Sequence, residues 1–195
     1  MIAVGYSMGG PVSLHLTRRH PELVVGLVVQ ATALEWRAKL SERMLWRLLP
    51  LMGAALRSWT QPWLLRRGAG FVIPDDSPFA PYRSWMIAET MRGEPRVMVE
   101  AGRALSRYDA RAWAGSLGVP AAMLISTRDR LVAPRKQREL AAALRARVVE
   151  VPMEHLGAVE LPDQFASATV ELVSSVAAAL GTVPPPSAVA ASDSI

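Results

Sequence analysis

The feature that most limits what this chain can become is its opening. Ile2-Ala3-Val4 is a short apolar strand signal, and Gly5-Tyr6-Ser7-Met8-Gly9-Gly10 follows it at once. Glycines two positions either side of a serine suit a turn so tight that a side chain at either place would clash. Pro11 to Arg19 then reads as a helix, with apolar Val12 and Leu16, stopped by His20-Pro21. Leu23 to Gln30 is a continuous apolar run without alternation, the pattern of a parallel strand covered on both faces. Strand, turn, helix and strand make one βαβ unit, and an α/β fold is the expectation.

The same alternation returns late in the chain. Val119 to Ser126 reads as a strand, Pro134 to Leu144 as a helix with proline in its first turn, and Arg147 to Val151 as another short strand. Pro162 to Leu180 reads as a last helix ended by Gly181. Between the two blocks the character differs. Ala33 to about Ala114 is rich in Trp, Arg, Leu and Met and is broken by Pro50, Pro62, Pro74, Pro78 and Pro81. Within it Trp36, Leu40, Met44, Leu48 and Met52 recur every four residues, which predicts an amphipathic helix. The organisation expected is a core of residues 1–32 and 115–180, holding about four parallel strands, with a helical cap of residues 33–114. Residues 181–195, with Val183-Pro184-Pro185-Pro186, have the composition of a disordered tail.

Composition then narrows the class. At 195 residues the chain can bury a sizeable single core. Mean hydropathy is high at +0.19, yet no apolar run reaches the roughly 18 to 20 residues of a membrane span. Met1 to Val4 has neither a basic segment nor a long apolar one, so no signal peptide is read there. Zero cysteines rule out a disulfide framework, a Cys-based metal site and a thiol nucleophile, and cytoplasmic placement is the expectation. The formal charge of +5 is local: seven basic residues against two acidic ones lie between Leu34 and Arg67. Arginines beside tryptophans on an amphipathic helix also suit an anionic lipid surface, which stays open as a weaker reading. No groove-reading motif accompanies them, so nucleic acid is not an expected partner. No residue pattern specifies an oligomeric state.

Ser7 is the candidate nucleophile, held in a strand-to-helix turn whose helix N-terminus offers backbone N–H groups to a developing oxyanion. A serine needs a base, and the base needs an acceptor that fixes its tautomer. Three histidines are present. His15 lies inside the first helix and faces its flank, and His20 ends that helix. His155, in the turn Met153-Glu154-His155-Leu156-Gly157 after a predicted strand, is the best candidate. Asp129 follows the strand before that one and is the candidate acid; a turn or helix-cap role is its plainer alternative. The Met8 N–H is the candidate oxyanion donor. Tyr6, Trp36 and Trp46 are the candidate substrate contacts, for a small ester or acyl compound. The candidate histidines have no ligand spacing, so no metal or organic cofactor is implied.

Gly5-Tyr6-Ser7-Met8-Gly9-Gly10, Arg18-Arg19-His20-Pro21-Glu22, Asp129 with Leu131-Val132-Ala133-Pro134, and His155 ahead of Glu160-Leu161-Pro162 resemble the α/β-hydrolase superfamily, in its bacterial esterase and peroxidase-like branch. The order Ser, Asp, His is that of the superfamily. The resemblance covers about Ile2 to Leu180 and implies a serine hydrolase of carboxylic esters, its strands matching the fifth to eighth of an eight-stranded sheet. It also implies four earlier strands and a loop donating a second oxyanion N–H. By that measure the chain reads as N-terminally truncated, with its first strand at a sheet edge. Loss of one such donor costs about 100- to 1000-fold in rate. An impaired hydrolase fragment acting as an interaction module is therefore the alternative. Glu154 stands where the family often has glycine, and it points either toward His155 or to solvent.

Overall fold

A computed structural model describes residues 1–37, 40, 44, 48, 75–76, 80–92 and 95–181. Four strands form one parallel sheet in the order β1-β2-β3-β4: β1 (Ile2–Tyr6), β2 (Gly26–Gln30), β3 (Ala121–Ser126) and β4 (Arg147–Val151). Six α-helices are described: α1 (Gly9–Arg19), α2 (Arg83–Arg92), α3 (Pro95–Arg107), α4 (Pro134–Leu144), α5 (Gly157–Glu160) and α6 (Pro162–Leu180). The architecture is the expected one, a short parallel sheet flanked by helices.

Both faces of the sheet are covered, which is why its strands carry unbroken apolar runs. On one face Leu27, Val29, Met123 and Ile125 pack with Leu14 of α1 and Leu140 of α4. The alternate residues Val28, Ala122 and Leu124 pack on the other face with Ala168, Leu172 and Val176 of α6. Each fully buried leucine or isoleucine here contributes about 1.5–3 kcal/mol by leaving water. β1 and β4 are the margins of the sheet, and Val4 on β1 stays half exposed.

α4, β4 and α6 have the bounds read from the sequence, β3 begins at Ala121 instead of Val119, and β1, α1 and β2 also differ. β1 runs on to Tyr6 and α1 starts at Gly9, so the turn itself is only Ser7 and Met8. β2 begins at Gly26 instead of Leu23. The N–H groups of Leu23 and Val24 are taken by the His20 carbonyl, and that of Val25 by the Met1 carbonyl, so none of the three is free to start the ladder.

The segment between β2 and β3 enters and leaves at one place. Glu35 and Asp109 form an antiparallel bridge, and the Ala110 N–H donates to the Leu34 carbonyl at 2.8 Å. A buried ion pair ties this neck to the core, Lys136 Nζ of α4 lying 3.5 Å from Glu35 Oε1. Of the predicted amphipathic helix, Leu40, Met44 and Leu48 are helical and exposed; Trp46 and Met52 lie outside the described residues. So does the predicted tail beyond Gly181. Among the described residues no helix is long and apolar enough to cross a membrane.

Candidate active site

The site stands at the C-terminal ends of β1, β3 and β4, where a parallel sheet presents its loops. Ser7 is held at φ 50°, a left-handed conformation that a non-glycine residue adopts only under constraint. The constraint is visible. The Ser7 N–H donates to the Gln30 carbonyl at 2.9 Å, and its own carbonyl accepts from the Gly10 N–H at 3.0 Å. A Cβ on Gly5 would sit 2.4 Å from the Gly9 carbonyl oxygen, so the chain can turn there only without one. On the far side the requirement differs from the sequence expectation. A Cβ on Gly9 would meet nothing within 4 Å, whereas one on Gly10 would lie 2.5 Å from Thr32. The tight approach is thus between Gly10 of α1 and the buried threonine just after β2.

Ser7, His155 and Asp129 come together in one hydrogen-bonded line. Ser7 Oγ is 2.8 Å from His155 Nε2, and His155 Nδ1 is 2.8 Å from Asp129 Oδ2. An ionised carboxylate only accepts, so the imidazole places its proton on Nδ1 and leaves Nε2 to accept from the serine hydroxyl. Asp129 is buried and fully engaged. Its Oδ1 accepts the Leu131 and Val132 N–H groups, both at 2.8 Å, and its Oδ2 also accepts the Gln137 amide at 3.1 Å.

Gln137 has no signal in any motif. Fully buried on α4, it accepts the Ser126 N–H at 3.0 Å and donates to the Val132 carbonyl at 2.8 Å. Its amide therefore joins the end of β3 to the loop carrying Asp129. Position alone could have marked it: three and four residues before buried Leu140 and Ala141, it is a polar residue on an apolar helix face.

The other candidates are placed as follows. The Tyr6 ring lies 5.7 Å from the imidazole of His155 and edge-on to Phe165 at 5.8 Å, so it borders the histidine. Its hydroxyl is buried without a partner among the described residues, and burial first, then the charge of Asp129, push its pKa up to about 12. Met8 is the N-cap of α1, with no side-chain cap hydrogen bond on that helix end. Trp36 packs against the core cluster on the α1 side of the sheet, and Trp46 lies outside the described residues. Glu154 turns to Arg130 at 3.1 Å. His15 packs between Tyr108 and Trp113, and His20 faces Glu22 at the exposed end of α1. Among the described residues no cluster of three or more potential ligands could hold a metal ion.

The family model described as serine aminopeptidase, S33, matches residues 1–154. No curated protein sequence matches the chain. Similar solved structures include a hydrolase from Pseudomonas aeruginosa, at 21% identity and TM-score 0.72, with 87% of this chain and 63% of that one covered. An esterase from Exiguobacterium antarcticum is similar at 17% identity and TM-score 0.71, covering 89% and 65%. An enol-lactonase from Burkholderia xenovorans is similar at 21% identity and TM-score 0.62, covering 88% and 64%. The chain thus spans less than two thirds of the length of these proteins. Given the family match over residues 1–154 and the parallel sheet with its helices, the chain belongs to the serine aminopeptidase S33 family of hydrolases, within the α/β-hydrolase superfamily.

Proposed function

We propose that the protein is a serine hydrolase of carboxylic esters that works through an acyl-enzyme on Ser7. The observation that carries this reading is the line Ser7 Oγ, His155 Nε2, His155 Nδ1, Asp129 Oδ2, with both contacts at 2.8 Å. In it Ser7 Oγ attacks the ester carbonyl as His155 Nε2 takes its proton. The resulting imidazolium is stabilised by Asp129 and returns the proton to the departing alcohol, leaving an acyl group on Ser7. Water, deprotonated by the same nitrogen, then releases the acid and regenerates the serine. The Met8 N–H at the start of α1 faces the developing oxyanion, where the helix dipole adds to it. The esterase and the enol-lactonase among the similar structures support the ester reading. Residues 33–114 serve as the cap over a core of residues 1–32 and 115–180, and Tyr6, Trp36 and Trp46 give the substrate side its apolar character.

The test is intact-mass measurement of the 195-residue chain after exposure to a fluorophosphonate, beside Ser7→Ala. A single adduct absent from the variant supports the reading. Folded, monodisperse protein that takes no adduct overturns it.

A second reading has its own observation. Among the described residues β1 pairs on one side only, and its other edge presents backbone groups to any strand that fits. An interaction module would show a stable larger assembly by native mass measurement and no adduct.

A further inference from the structure

A groove of about 500 Å³, apolar along most of its length, runs beside α1 on the side away from the sheet. Its floor is one helical stripe. Met8, Val12, His15 and Arg19 follow at steps of three and four residues and therefore share a face over about 16 Å. The facing wall is α3, where Ala101 and Ala104 stand opposite with Leu105. Alanine side chains end at Cβ and do not fill the space, so Val12 stays 63% exposed and Met8 51% exposed although both line it.

The groove also carries positive charge. Arg19 and Arg107 line it, and Arg18 on the same helix lies over the Trp113 ring at 4.8 Å. Of the neighbouring carboxylates, Asp109 is engaged with Arg111, Glu35 with Lys136 and Glu22 with His20, and Glu100, one turn before Ala104 on α3, also has a partner. Neither Arg19 nor Arg107 has an ion-pair partner among the described residues. His15, in the middle of the stripe, has its pKa held below the usual value by burial first and then by Arg19 and Arg18. An apolar trough with two guanidinium groups that have no ion-pair partner among the described residues suits a ligand that is apolar along its body and anionic at one end.

We propose that this groove binds a carboxylate with an apolar body, for which a medium-chain alkanoate is the simplest case. The headgroup is held by Arg19 and Arg107, and the chain lies along Val12 and Leu105 toward Met8. The site does not use the Ser7 hydroxyl, which is engaged with His155, and meets the proposed hydrolytic site only at Met8. Acids of this kind are nevertheless the product class that ester hydrolysis releases.

The test is calorimetric titration of the full chain with decanoate below its micelle concentration, alongside decan-1-ol, which has a chain of the same length without the charge and no bond for Ser7 to cleave. Decanoate is expected to saturate one site, and the Arg19→Gln/Arg107→Gln double variant to bind it about tenfold or more weakly. Decan-1-ol is expected to bind weakly and equally to both proteins. Ser7→Ala is expected to leave the decanoate affinity unchanged, which separates this inference from the fluorophosphonate result. The proposal is overturned by an absence of saturable decanoate binding to folded wild type, or by equal affinity in the double variant. It is also overturned by equal losses for the acid and the alcohol, or by loss in Ser7→Ala, which would put the ligand at the serine. Arginine-dependent binding to phosphatidylglycerol vesicles without binding of dispersed decanoate would assign the groove to a lipid surface instead.

Discussion

Gln137 donates to the same carboxylate oxygen of Asp129 that receives the His155 N–H, at 3.1 Å and 2.8 Å respectively. The acid is thereby held from two sides by groups on different segments. Gln137→Leu should leave the Ser126 N–H and the Val132 carbonyl without their side-chain partner, at a cost of about 2 kcal/mol. It should also slow fluorophosphonate labelling about tenfold as Asp129 gains freedom to turn away from the imidazole. Urea midpoints and labelling rates check both. Labelling at the wild-type rate would remove Gln137 from any positioning role.

The three glycines around Ser7 should not respond alike. Gly5→Ala and Gly10→Ala each force a Cβ into atoms 2.4–2.5 Å away, so destabilisation of about 1–3 kcal/mol is expected. Gly9→Ala meets open space and should leave stability unchanged or slightly higher, because alanine favours the helix that Gly9 begins. Thermal melts of the three variants decide the matter.

Ser7 pays a conformational cost at φ 50° that glycine would not. Ser7→Gly should therefore raise stability by up to about 1 kcal/mol while abolishing the fluorophosphonate adduct. A Ser7→Gly protein less stable than Ser7→Ala would show that the turn is not strained.

Two buried phenols make alkaline stability informative. Burial and then Asp129 push Tyr6 up to about 12, and burial and then Asp109 raise Tyr108 as well. In the unfolded chain tyrosines ionise near pH 10. The folded state thus keeps protons that the unfolded state has lost, so stability should hold below pH 10 and fall as pH rises from 10 through 12. Neither hydroxyl has a hydrogen-bond partner among the described residues, so Tyr6→Phe/Tyr108→Phe should unfold normally at pH 7 and lose less stability above pH 10. Urea unfolding at pH 8 and pH 11 measures the difference.

The sequence shows elements clearly where proline and glycine mark their ends. α4 begins at Pro134 and α6 at Pro162, each read to the residue, because proline at a first helical position leaves no choice of start. Where glycine is shared between turn and helix the start is less plain, and α1 begins at Gly9, two residues before the expected Pro11. The early end assigned to β1 has the same cause, since Gly5 and Tyr6 look like turn while their backbones still pair with Val29 and Gln30. Ser7, Asp129 and His155 are legible because each follows a strand, and chain order with strand ends brings them to one rim. Gln137 is not, because glutamine on a helix ordinarily faces water and only packing reveals that this one does not. The swap of roles between Gly9 and Gly10 depends on Thr32, a contact across elements that local spacing does not encode.

Ser7 leaves β1 and His155 follows β4, the two outermost strands, which the sheet order separates by three strand spacings or about 14 Å. Their 2.8 Å contact means that the loop after β4 arches back over the whole rim to reach the opposite side. The line of hydrogen bonds acts as a tie-bar between the two margins. Fraying of either outer strand would stretch that tie-bar before the buried centre of the sheet gives way. Reactivity at Ser7 is then a strain gauge for the sheet, and on warming it should fade while the helical signal in circular dichroism is still intact.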